Sequence, residues 1–236
     1  AAGGALVLTG LGAGTAIGAL AGLPLAEALI AASAVSICGA SAALGAASVL
    51  PGTVQNRRTA AFVVIGVNLL STLAMVAYPF IAQALDFSDR QTGVFLGLSI
   101  HDVAQVVAAG HSVSPEAENT AALAKLSRVL WLGPAVMLIA FSMRSGQASR
   151  TPGPPAFVWG FAGLMLARNL GLLPAALLPA LTTASQILLL GGVFAISALA
   201  APRSLARIDP RLAWTLLATT AFMAMAAAAA SLLLVA

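Results

Sequence analysis

The chain has 236 residues, 60% of them hydrophobic and only 8% charged, with a mean hydropathy of +1.01 and a formal net charge of +4. A soluble domain of this size would carry charge at about a quarter of its positions, so a soluble globular protein is excluded, and with it the nucleic-acid partner that a pI near 10.6 would otherwise suggest. The composition predicts an all-α polytopic membrane protein, because the apolar runs are continuous rather than alternating. At about 20 residues per span, the length admits roughly seven or eight membrane segments in a single transmembrane domain over 1–236.

The first apolar run, 1–22, has no initiator Met and no basic region ahead of it, so the sequence reads as a piece lacking its N-terminal part. The second, 24–50, holds Ser36, Cys38, Gly39 and Ser41 at its centre. After an uninterrupted run at 59–85 comes 93–110, which contains Ser99, His101, Asp102 and Gln105. Neither 24–50 nor 93–110 suits a lipid-facing helix. The runs 121–143, 156–175, 179–201 and 213–236 complete the chain.

The two polar segments resemble each other. Ser36-Ile37-Cys38-Gly39 aligns with Ser99-Ile100-His101-Asp102, each is followed by Ser-Val-x-Pro at 48–51 or 112–115, and Thr59-Ala60-Ala61 then aligns with Thr120-Ala121-Ala122. Charge supplies a separate check through the excess of Lys and Arg in cytoplasmic loops. Arg57 and Arg58, Arg144 and Arg150, and Arg203, Arg207 and Arg211 follow three of the runs, while acidic loops at 86–89 and 116–118 flank 93–110. The three basic loops share one side only if 93–110 is re-entrant or broken, with both ends outward and 24–50 as its inward counterpart. One such segment plus one full span crosses the membrane an odd number of times, so its second copy is inverted, an architecture found in secondary transporters.

A His, an Asp and a Gln inside an apolar segment are a functional expectation by default. His101 and Gln105 are four apart and Asp102 and Gln105 three apart, so one helical face could present all three. A His beside a carboxylate can exchange a proton near neutral pH; alternatively, Asp102 caps a half-helix beginning at Val103. Ser36, Cys38, Gly39 and Ser41 let backbones cross closely and free N–H groups for an anion at a break, or else serve ordinary small-residue packing. Lys125 and Arg128 are expected at the external start of their span, where they either attract an anion or snorkel to the interface. Arg168 and Asn169 lie deeper in 156–175, as a substrate pair or with Arg168 on backbone carbonyls. Cys38 is the only cysteine and there are two histidines, so no metal set, cofactor motif or catalytic residue is expected. Gly39-Ala40-Ser41 with a later His101 is a faint match to an intramembrane serine protease, with Ala42 where a glycine would stand.

At these residues the sequence resembles the family of YeiH-type conserved bacterial inner-membrane proteins, proposed sulfate exporters. The matching stretches are Ser36 to Ala42, Ile100 to Gly110, Ser114-Pro115-Glu116-Ala117, and Ala124 to Leu130 with Gly133-Pro134; beyond Gly146 only Asn169 to Pro174 stands out. The resemblance implies a secondary transporter of the bacterial inner membrane that moves sulfate or another small anion. Two departures accompany it: the family's N-terminal helices are absent, and Arg168 stands where a neutral residue would be expected. The expectation is therefore a non-enzymatic anion transporter or exporter in the lipid bilayer, coupled to protons or another cation, with a homo-oligomer left open. The alternative is a membrane sensor or scaffold that binds a ligand without moving it.

Overall fold

The structure, a computed structural model, describes residues 2–143, 156–172, 174–184, 187–188, 191 and 209–234. Its helices include α1 (Ala2–Leu20), α2 (Leu25–Ser36), α3 (Ala40–Val49), α4 (Val54–Ala84), α5 (Asp89–Ser99), α6 (Val103–His111), α7 (Pro115–Val129), α8 (Leu132–Ser142), α9 (Ala156–Asn169) and α10 (Pro210–Leu234), with a 3₁₀ turn at Ala175–Leu177. Among the described residues, four helical units are long and apolar enough to cross a bilayer: Gly3–Leu20, Val54–Ala84, Pro115–Ser142 and Pro210–Leu234. The third joins α7 and α8 into 28 residues. Most of the run at 179–201, together with Arg144, Arg150, Arg203 and Arg207, lies outside the described residues.

Between the spans, 24–50 and 93–110 fold as re-entrant hairpins. Near the start of α2, Glu27 accepts hydrogen bonds from Thr59 (2.9 Å) and Gln55 (3.4 Å) in the first turns of α4, and α3 ends just ahead of that same helix start. Both ends of the α2–α3 hairpin therefore lie on the face where α4 begins. The α5–α6 hairpin opens on the other face: Gly93 in α5 packs on Ala117 and Thr120, while Gly110 in α6 packs on Ala117 and Glu118, all in the first turns of α7. Arg57, Arg58 and Arg211 stand on the first face; Asp86, Asp89, Glu116 and Glu118 stand on the second. The positive-inside bias makes the first face cytoplasmic. Hairpin plus α4 and hairpin plus α7–α8 are thus two units of the same kind in opposite orientation.

Local sequence accounts for each break. α2 ends where Ile37 leaves helical geometry and Gly39 adopts φ 63° and ψ −122°, a region open to glycine. α5 starts at Ser88 with a capping box closed by Gln91, and ends at an extended Ile100 (φ −67°, ψ 143°). α6 restarts at Asp102, whose Oδ1 accepts the N–H groups of Ala104 (2.9 Å) and Gln105 (3.2 Å).

α1 holds the cytoplasmic hairpin against α10 through small residues. A Cβ at Gly14 would stand 2.8 Å from Thr219 and 2.9 Å from Ala32, and one at Gly18 would stand 2.7 Å from Ala28. Lipid offers no hydrophobic drive for helix association, so this close backbone approach and its dispersion contacts are what hold the helices together. On the outer side Phe95 of α5 stacks on Tyr78 of α4, with ring centroids 5.3 Å apart, and meets Phe87 edge-on at 5.9 Å.

Candidate functional site

The two hairpin tips meet about midway along α4. Each hairpin delivers the C-terminus of one half-helix to this junction, α2 at Ser36 and α5 at Ser99. A helix C-terminus leaves several carbonyls without partners, and in the hydrocarbon core each unpaired group costs several kcal/mol. Here two cations of α7 supply the donors. Lys125 Nζ donates to the carbonyls of Ile37 and Ile100, both at 2.8 Å. Arg128 donates from Nε to Ser36 (3.0 Å), from Nη1 to Leu98 (2.6 Å) and Ile100 (3.4 Å), and from Nη2 to Val35 (2.7 Å). Ile37 and Ile100 are equivalent positions of the sequence repeat, as are Val35 and Leu98, so the pair grips both copies alike. The negative ends of two helix dipoles point at these cations, which offsets part of the cost of burying them.

This corrects the expectation for Lys125 and Arg128. They do not sit at an external entrance: both are 0% exposed at the junction. Their helix begins at Pro115 rather than at Ala121, which carries Lys125 about 15 Å inward from the helix start.

His101 ties the tips to two spans. Its backbone N–H and that of Asp102 both donate to Ser71 Oγ of α4, at 3.1 and 3.2 Å. Its Nδ1 lies 3.2 Å from the carbonyl of Val35 and its Nε2 3.1 Å from Thr220 Oγ1 of α10. A carbonyl only accepts, so these partners require the proton on Nδ1, leaving Nε2 to accept from the threonine hydroxyl. Asp102 is half-buried and caps α6; Gln105 Nε2 donates to Thr72 Oγ1 at 3.0 Å, while its buried Oε1 has no partner. The ring of His101 and the carboxylate of Asp102 thus have separate partners instead of forming one acid–base pair.

At the other tip Cys38 Sγ lies 2.7 Å from Ser41 Oγ, which is also 3.2 Å from the Cys38 carbonyl. The start of α3 at Gly39 has no side-chain cap. Ser36 is fully buried, and its Oγ has no partner. Ser99 Oγ donates to Phe95 O at 2.6 Å within its own helix. Arg168 is exposed on α9 and is not brought to the junction; Asn169 ends α9, and its side chain lies outside the described residues. Among the described residues no group of three or more His, Cys, Asp or Glu could hold a metal ion.

Ser71, Thr72 and Thr220, and the carbonyls of Val35, Ser36, Ile37, Leu98 and Ile100, belong to the site without having been singled out from sequence. Hydroxyl pairs in the middle of apolar runs, Ser71-Thr72 and Thr219-Thr220, are the signal that could have found the side chains. Backbone carbonyls leave no such trace.

Fold and site together define a multi-pass membrane protein built from inverted hairpin-and-span units. Residues 3–216 match the family described as Conserved hypothetical protein 698, and the chain belongs to that family. It is 59% identical to a UPF0324 membrane protein of Caulobacter vibrioides over 96% of this chain and 50% of the relative. It is 41% identical to the UPF0324 membrane protein TauZ of Paracoccus denitrificans, over 84% of this chain and 60% of that one. The UPF0324 inner membrane protein YeiH of Salmonella typhi is 36% identical over 65% of this chain and 45% of the relative. The chain therefore spans about half the length of the curated relatives it matches. No solved structure matches it.

Proposed function

We propose that the protein is a secondary transporter or exporter of a small anion of the sulfate type, coupled to protons or another cation, and not an enzyme. The observation that carries this reading is the charge at the junction. Among the described residues two cations, Lys125 and Arg128, face one carboxylate, Asp102, while two half-helix C-termini are matched by two N-termini. The balance is positive at mid-membrane, where positive charge attracts an anion most strongly. The α6 N-terminus is closed by Asp102, whereas Gly39 offers no side chain to cap α3, which supports placing the anion at the first turn of α3, beside Cys38 and Ser41. Hairpins entering from opposite faces supply the two gates that alternating access needs. The non-enzymatic reading is supported by Ser41, whose partner is Cys38, while His101 is occupied by Val35 and Thr220.

Flux into proteoliposomes tests the proposal. A panel of sulfate, other sulfur-containing anions and carboxylates should include at least one whose uptake is saturable and depends on an imposed pH or cation gradient. Binding without flux of any member would assign the protein to the sensor or scaffold class instead.

A further inference from the structure

One polar group at the junction is used neither by the Lys125–Arg128 clamp nor by the open end of α3. Asp102 Oδ1 accepts both N–H groups at the start of α6, and neither bond uses Oδ2. Gln105 directs Nε2 to Thr72 and leaves Oε1 buried and unpartnered. Thr72 Oγ1 receives that bond and donates its own hydrogen to the Asn68 carbonyl at 2.9 Å, which leaves one lone pair unused. What the three residues leave unused is therefore three oxygen acceptors and the second N–H of Gln105 Nε2. Asp102 is half-buried, and Val103 and Ala104 beside it are exposed, so the group opens onto a face that the described residues do not cover.

The free acceptors outnumber the one free donor, and carboxylate, amide carbonyl and hydroxyl oxygens together suit a hard metal ion. Charge selects among such ions. Asp102 already stands against Lys125 and Arg128, so every added positive charge costs more here, and a monovalent ion adds less than a divalent one.

We infer that Asp102, Gln105 and Thr72 form a binding site for a monovalent alkali cation of the size of sodium. This deepens the transporter reading, on which it rests, by naming the coupling ion and the residues that hold it. An anion at α3 and a cation at α6 would then occupy the two half-helix N-termini of one junction, each lowering the electrostatic cost of the other.

The test is thermal unfolding of the purified full chain in detergent, titrated with sodium chloride against choline chloride at equal ionic strength. Sodium should raise the melting temperature saturably and choline should not. Gln105→Met removes the free carbonyl while keeping the side-chain length, and Asp102→Asn keeps the cap while removing the charge. Each should raise the half-saturating sodium concentration by about tenfold or more. If Asp102→Asn does not fold, Gln105→Met decides alone. No sodium-specific rise in the wild type, or an unshifted titration in Gln105→Met, overturns the site. The readout is binding, so it separates from flux: anion transport without a sodium shift defeats this inference and leaves the transporter standing, and a sodium shift without transport does the reverse.

Discussion

Arg128→Met should leave little folded protein. The substitution removes the donors to the carbonyls of Ser36 and Leu98, and one of the two donors to each of Val35, which keeps His101, and Ile100, which keeps Lys125. An unpaired buried polar group costs about 1–3 kcal/mol, so the two orphaned carbonyls cost about 2–6 kcal/mol together, offset in part by no longer burying a guanidinium. That approaches the total stability of many domains. Yield of monodisperse protein and melting temperature in detergent measure it. Arg128→Lys keeps the charge but offers three donors instead of five, so it should fall between the two. The loss should be the same at low and high salt, because a group buried at mid-membrane is screened little. A loss confined to low ionic strength would fit a surface attraction and contradict the clamp.

Gly39→Ala should be the next most damaging single change. At φ 63° and ψ −122° an L-residue is strained by about 1–3 kcal/mol. Space is not the obstacle, since a Cβ there would meet only the His101 carbonyl and Val67, both at 3.7 Å. The cost therefore lies in the backbone, and relief by straightening the turn would pull the α2 tip off Lys125 and Arg128. Gly39→Asn should do no better than alanine, because asparagine tolerates positive φ mainly near ψ +30 to +60°. A wild-type melting temperature for either variant would show that the tip can re-form without this turn.

The breaks in 24–50 and 93–110 were legible because a helix that faces lipid does not gather polar and small residues in the middle of its apolar run. The charge pattern then placed the two segments on opposite sides, and the repeat Ser36-Ile37 with Ser99-Ile100 marked the points where the helices end. The depth of Lys125 and Arg128 was not legible. Hydropathy starts a span where apolar residues begin, here Ala121, yet a helix whose polar face is buried against its own protein begins earlier, at Pro115. The same effect set the expected start of α4 at Thr59 instead of Val54 and of the outer hairpin at Gly93 instead of Asp89. The partners of the two cations were hidden for a different reason: they are carbonyls, and every residue has one. His101 and Asp102 are adjacent in sequence but turn to different neighbours, because the extended backbone between α5 and α6 does not hold them to one helical face.

The single cysteine makes the assignment of an anion to the open start of α3 directly measurable. The rate at which Cys38 reacts with N-ethylmaleimide in the purified protein reports on access to that turn, since its thiol sits 2.7 Å from Ser41 in the first turn of α3. The measurement compares sodium sulfate with sodium chloride at equal sodium concentration, with choline chloride added to the chloride sample to equalise ionic strength. An anion seated on the α3 N-terminus predicts a saturable slowing by sulfate, or by whichever anion of the panel is transported. Identical rates in every anion that drives flux would place the substrate elsewhere and contradict the assignment.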